Sequence, residues 1–258
     1  MSLHTTITRS LALGAVAGSL LLGSAQAANE NVSASVSLDF NSHFMSYGAN
    51  VWGDRDIGQQ SLLFQPSASL EFALGEGSAI YTGVWADIND RLDSSGYTVE
   101  EVDFWLGYYF TIEKFTIDFT LQQWMYASEV EGIFDVTVSY DAMFSPYIKA
   151  HTRFEAVGNQ KRGTIFEVGG TLFETTVGTV SLSVPVATAF SFTEYHGGTD
   201  GYAYSLVGLN ASLPLGISDA YGAWDLHGGL TFYHTDKGFT GNARSTYLTL
   251  NVGVGVSF

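Results

Sequence analysis

Tyr147, Lys149, His151 and Arg153 recur at every second position of one short segment, so an extended chain sends two cations, an imidazole and a phenol to the same side. Fixed charges on one wall set up a field across whatever space that wall borders, the chemistry by which pores orient polar solutes. Carboxylates outnumber these bases: Asp39, Glu71, Asp87, Glu101, Asp103, Asp118, Asp135, Glu155, Glu167 and Asp225 fall on the matching parity of other extended segments. Two outcomes are open. The bases confront walls carrying Asp39, Glu101, Asp103 and Asp118, which favours cations, or they pair with Glu155, Glu167 or Asp135 and fill the interior. Trp85, Trp105, Trp124, Tyr109 and Tyr126 share the same face. Their rings either guide sugars or aromatic solutes by stacking or fill a narrow interior.

Nucleophilic catalysis needs a nucleophile, a base and an orienting acid in mutual reach. The chain has no cysteine, which removes thiolate nucleophiles, Cys-ligated metals and disulfides. Ser42 and His43 are sequence neighbours and point to opposite faces of a strand. His227 and Asp225 share a face but have no evident serine, and no lipase-like His-Ser-Asn run occurs. No catalytic residue is assigned and a non-enzyme is expected. For metals, His43, His151 and His227 would have to meet across the interior, and Asp54, Asp56, Asp90 and Asp93 sit in loop-like segments where solvated charge is the ordinary state. Neither a metal nor a cofactor is expected, with divalent cations bridging lipopolysaccharide left as an open alternative.

The elements that position these residues follow from composition and period. Of 258 residues only 14% are charged while 46% are hydrophobic, against about 25% charged in a soluble domain. Phe, Tyr and Trp together outnumber the charged residues, so disorder is excluded. A net charge of -16 repels phosphate backbones, which excludes nucleic acid as a partner. After Arg9 comes an apolar run over residues 11–22 and then Ala25-Gln26-Ala27. This reads as a signal peptide over 1–27, cleaved before Ala28, with a single domain over 28–258.

From Ala28 onward apolar residues alternate with polar ones. The last segment shows it best: Leu248, Leu250, Val252, Val254, Val256 and Phe258 on one side, with Tyr247, Thr249, Asn251, Gly253, Gly255 and Ser257 on the other. Twelve such segments are predicted as strands: 32–44, 61–74, 78–89, 99–111, 114–126, 133–140, 144–155, 164–174, 179–192, 202–213, 222–234 and 245–258. Pro185 inside one of them predicts a bulge. Many strands are long enough to cross a bilayer at a tilt, and the polar face is too charged to be the core of a soluble barrel. Aromatics gather at the segment ends: Phe72, Tyr108, Phe110, Phe115, Tyr140, Phe144, Trp224 and Phe258 at one rim, Phe40, Phe64, Phe154, Phe190, Phe192 and Phe232 at the other. Long connections (45–60, 90–98, 156–163, 193–201, 235–244) alternate with short ones (75–77, 112–113, 141–143, 175–178), with 127–132 and 214–221 as exceptions. The fold class is therefore an all-β antiparallel transmembrane barrel of about twelve strands, both termini in the periplasm and the outer membrane as its location.

The ending Tyr247 to Phe258 resembles the C-terminal signal read by the barrel-assembly machinery, with Phe258 as its terminal aromatic. The stretches Gln65 to Phe72 and Ala79 to Ala86 resemble the early strands of the TorF-like family of porins; the arginine-glycine turn usual there is missing at Ser42 to Ser46. The resemblance implies a Gram-negative outer-membrane pore with no catalytic residues. The residues expected to line it are Asp39, Asp87, Glu101, Asp103, Asp118, Asp135, Lys149, His151, Arg153, Glu167, Asp225 and His227, with Trp85, Trp105 and Trp124 as an aromatic cluster. Expected partners are outer-membrane lipid, lipopolysaccharide and small hydrophilic solutes, with cations preferred. The competing expectations are a closed structural or adhesive barrel and a lipid-modifying barrel enzyme.

Overall fold

The computed structural model describes residues 31–53, 61–91, 96–127, 129–158 and 160–258. The expected signal peptide and the loop acids Asp54, Asp56 and Asp93 lie outside the described residues. In chain order the strands are β1 Val32–Asn41, β2 Met45–Ser46, β3 Ala49–Asn50, β4 Leu63–Gly75, β5 Ser78–Asn89, β6 Thr98–Ile112, β7 Phe115–Tyr126, β8 Glu129–Tyr140, β9 Tyr147–Glu155, β10 Gly163–Val177, β11 Val180–Ser191, β12 Gly201–Pro214, β13 Ala223–Thr235 and β14 Thr246–Ser257. Twelve of them close into one antiparallel barrel, sealed where β1 pairs with both β4 and β14. The short β2 and β3 pair only with each other. Closure satisfies the edge strands of the barrel, the condition for strands to stand in hydrocarbon.

The predicted segments match these strands to within a few residues, with two informative departures. β8 begins at Glu129 rather than 133, so the expected loop 127–132 shrinks to a connection at 127–128, where Ala127 takes φ 39°. β9 begins at Tyr147 rather than 144, because Phe144 and Ser145 turn through left-handed φ values of 74° and 41° before Pro146. Pro185 has the expected effect. The β10–β11 register slips between Thr171 and Phe173 beside it, and the β11–β12 ladder passes from Ser183↔Asn210 to Val186↔Val207 across it.

The outward face is apolar: Leu38, Phe104, Leu106, Val168, Leu230 and Leu248 are all exposed. Phe72, Tyr108, Phe115, Tyr140 and Phe144 are exposed at the end where β1 begins, β14 ends and the short turns lie. Phe40, Phe154, Phe190, Phe192 and Phe232 are exposed at the opposite, long-loop end. Two such bands on an apolar wall are the signature of a barrel set between aqueous interfaces. The main buried apolar cluster lies inside, at the long-loop end: Ile165, Ala189, Tyr195, Ala203, Tyr204 and Phe239, with Tyr47, Leu206 and Tyr233 against it. Phe239 is delivered by a single helical turn, Lys237–Thr240, capped by the Asp236 carboxylate, which accepts from the Phe239 amide at 2.8 Å.

Candidate functional site in the lumen

The first long connection dips into the barrel. β2 and β3 are joined by Tyr47 and Gly48 at φ 45° and 86°, the primed turn a two-residue hairpin requires. A Cβ on Gly48 would lie 2.8 Å from the Tyr204 ring, so glycine lets this tip reach the wall. The Tyr47 ring stacks on His151 with centroids 3.6 Å apart. Three further contacts hold the hairpin in place. Asn242 donates to the Gly48 carbonyl at 2.7 Å, His196 Nε2 donates to the Tyr47 carbonyl at 3.2 Å, and Trp52 Nε1 donates to Asp87 at 2.6 Å. With His196, Asn242 and the Tyr195–Phe239 cluster around it, the β2–β3 hairpin sits as a plug inside the loop end.

Below and around the plug the lumen is lined by the polar face of the strands. Most of its carboxyls are held by neutral donors. Asp87 also accepts from Gln65 and Asn89, Asp118 from Tyr81 at 2.8 Å, and Glu71 from Tyr109. Glu167 accepts from Tyr147 at 2.7 Å and from Tyr204. Asp135 accepts from Gln122 and meets His151 Nδ1 at 2.6 Å, and the Tyr195 hydroxyl lies 2.7 Å from His151 Nε2.

The bases part company with the expected pairings. Arg153 binds Glu131, Nε to Oε2 2.8 Å, with both side chains buried. Its guanidinium also covers the Tyr195 ring at 3.8 Å and donates to the Tyr195 carbonyl at 2.8 Å. Glu155, Glu167 and Asp135 are therefore not its partners, and Glu155 is exposed. Glu131 escaped the sequence reading because it falls in the segment assigned to a loop. Lys149 makes no ion pair within 4.0 Å among the described residues.

Towards the turn end, His227 is bridged between two acids, Nδ1 to Asp225 at 2.7 Å and Nε2 to Asp39 at 2.9 Å. The serine missing from the sequence reading is Ser37, whose Oγ lies 3.5 Å from His227 Nε2. Its hydroxyl donates instead to Asp39 at 2.5 Å. Asp39 thus holds both the proton a nucleophile would give up and the nitrogen that would take it.

The large rings lie against the wall rather than across the lumen. Trp105, Tyr81 and Tyr147 each face an inward glycine on the neighbouring strand, in the pairs Gly83↔Trp105, Tyr81↔Gly107 and Gly169↔Tyr147. A Cβ on Gly83 would come within 2.2 Å of the Trp105 indole. Absence of that atom is what lets the ring lie flat, the arrangement by which aromatics cover sheet glycines. The flattened rings leave a central cavity of about 570 Å³, bordered by Trp85, Trp105, Trp124, Glu101, Asp103 and Lys149. It shares walls with cavities of about 450 Å³ near Arg153 and 350 Å³ near Pro185. A further one of about 320 Å³ is lined by Asn210, Ser212, His227 and Asn251.

In the plug, burial pushes His196 down to about 4, reinforced by the nearby Arg153 and His151. Burial likewise raises the Tyr47 and Tyr195 hydroxyls, so both stay neutral.

No family model matches the chain, and neither does any curated protein. Solved barrels do. The chain is similar to the COG4313 outer membrane channel from Pseudomonas putida F1 at 10% identity and TM-score 0.52, over 88% of this chain and 95% of that one. It is also similar to the translocator domain of autotransporter NalP from Neisseria meningitidis (12%, TM-score 0.46, 97% and 98%) and to outer membrane phospholipase A from Escherichia coli (10%, TM-score 0.45, 87% and 92%). The likeness to the Pseudomonas putida channel is one of fold, that of an outer-membrane β-barrel.

Proposed function

We propose that this chain is an outer-membrane channel through which small hydrophilic solutes diffuse, with cations preferred and both termini in the periplasm. The observation that supports it most is the inverted distribution of polarity: an apolar outer wall around a carboxyl-lined interior whose central cavity of about 570 Å³ borders two others. With Arg153 neutralised by Glu131, the interior's remaining charge is mostly acidic, which favours cations along the path. Passage follows gradients and involves no turnover; phospholipid hydrolysis assayed on the wild type and His227→Ala checks that part. Outer-membrane lipid and lipopolysaccharide would cover the apolar belt. Phe258, whose backbone exchanges two hydrogen bonds with Ala34 (2.9 and 3.2 Å), would be read by the barrel-assembly machinery before the seam closes. The TorF-like porin resemblance and a signal peptide over 1–27 belong to the same reading.

Planar bilayers test it. Purified protein in a KCl gradient should give discrete openings with a reversal potential on the K⁺ side, shifted towards zero in Asp103→Asn/Asp118→Asn. A second reading is favoured by the plug: a closed barrel that acts through its loops. Silent bilayers for both the wild type and a chain lacking residues 44–48 would establish that one and overturn the channel.

A further inference from the structure

The strand registers arrange the tryptophans and the acids of the central cavity around one carboxyl group. On the inner wall Trp85 of β5 stands opposite Asp103 of β6, and Asp103 stands opposite Trp124 of β7. Trp105, two residues along β6 from Asp103, lies flat over Gly83. Asp103 is thereby bordered on three sides by indoles. Phe44 of the plug approaches Trp85 at 5.2 Å between ring centroids and roofs the recess. Glu101, almost fully buried, sits two residues along on the same face.

Asp103 differs from the other lumen acids in that its polar neighbour is a second carboxyl, that of Glu101. Asp39, Asp87, Asp118, Asp135, Glu167 and Asp225 each have a donor or an imidazole at hydrogen-bond distance. Asp103 Oδ1 is buried and has no partner. Neither Asp103 nor Glu101 has a basic nitrogen within 4.0 Å among the described residues. Lys149 borders the cavity too and stands opposite Glu167 in the β9–β10 ladder. An unpartnered buried acceptor is costly unless something completes it.

We infer that this recess is a binding site for small organic cations, ammonium groups carrying apolar substituents. Indole faces attract cations through their quadrupole, and most strongly those already partly shielded from water by their own methyl or methylene groups. A cation drawn between the indoles would keep one carboxyl of the adjacent Asp103–Glu101 pair ionised as its counter-charge, and the three rings and Phe44 replace the hydration shell. A bare metal ion fits poorly. Indoles offer it no ligand atoms, the described residues hold no metal-ligating cluster, and the cavity is far larger than an ion. The inference deepens the channel reading by naming a solute class, and it rests on that reading only in that solute must enter the lumen.

Choline is the probe, titrated into the detergent-solubilised full chain while tryptophan emission is followed at constant ionic strength. Saturable quenching is expected, with 3,3-dimethyl-1-butanol, the neutral analogue of the same shape, and NaCl at least about tenfold weaker. Asp103→Asn should weaken choline about tenfold, and Trp105→Phe, which keeps every charge, should weaken it by a smaller factor. Equal responses to choline and to the neutral analogue, or an Asp103→Asn titration like the wild type, overturn the inference. So does a response to glucose at lower concentration than to choline, which would mark a sugar site. If Asp103→Asn does not fold to the heat-resistant compact barrel on gels, Trp105→Phe alone decides. Bilayers separate the two readings. Channels that open in KCl but show no choline block leave the channel standing without this site, whereas choline binding by a protein silent in bilayers leaves the site without the channel.

Discussion

Acidification should loosen the plug, and His196 sets the size of the effect. Its ring donates to the Tyr47 carbonyl, meets Tyr195 and Phe239 edge-on at 5.0 and 5.5 Å, and feels the positive guanidinium of Arg153 and the imidazole of His151. Burial, the largest contribution, holds it down at about 4 against the ordinary 6.5. The seated plug therefore resists protonation that a released loop accepts. Its His196-dependent stability is fully present above about pH 6.5 and is lost as the pH falls towards 4. At pH 5 a released His196 is almost wholly protonated and a seated one about one-tenth so. Linkage then shifts the seated-to-released ratio roughly 30-fold, about 2 kcal/mol. Single-channel recordings with the loop side brought from pH 7 to 5 should show a higher open fraction in wild type. Over the same window His196→Gln should respond little, since glutamine keeps a donor for Tyr47 without the charge. Identical pH responses in the two proteins, or closure of the wild type on acidification, would refute the assignment.

Three further outcomes follow from contacts elsewhere. Arg153→Met leaves Glu131, at 1% exposure, as an uncompensated buried acid; unfolding followed by intrinsic fluorescence should lose about 3–5 kcal/mol, most of it recovered in Arg153→Met/Glu131→Leu. Gly107→Ala places a methyl about 2.1 Å from the Tyr81 ring, which must swing into the lumen; conductance should fall and stability drop by about 1–3 kcal/mol. Tyr47→Ala removes the ring seated on His151 and should raise the open fraction at pH 7.

The barrel was legible because one physical rule repeats along the whole chain. Each strand must show lipid one face and water the other, so alternation such as Leu248 to Phe258 encodes element type and facing together. The rule fails where chemistry is locally mixed. Glu129-Val130-Glu131-Gly132 carries two acids and a glycine and reads as a loop, yet Glu131 is inward and neutralised by Arg153, so its charge is no argument against a strand. Conversely Phe144-Ser145-Pro146 looked like the start of a strand and is a turn, since Phe144 is an exposed rim aromatic whose side chain needs no ladder.

The interior was legible in direction but not in pairing. Parity assigns each strand residue to one of two faces, yet it carries no information on which strands face each other across a closed cylinder or what the loops insert. The plug is the clearest case: Tyr47 and Gly48 lie in a segment with no alternation to read, and their anchors Asn242 and His196 are remote in sequence. The open lumen had a signal that alternation alone does not use. Trp105 faces Gly83, Tyr81 faces Gly107, and Tyr147 faces Gly169, three large rings each opposite a residue with no side chain. Had those glycines been alanine, the rings would stand into the lumen, and the aromatic cluster would fill it. Because they are glycine, the same aromatics become a wall, and whether this barrel encloses space or closes it is decided by residues that contribute no atoms to either.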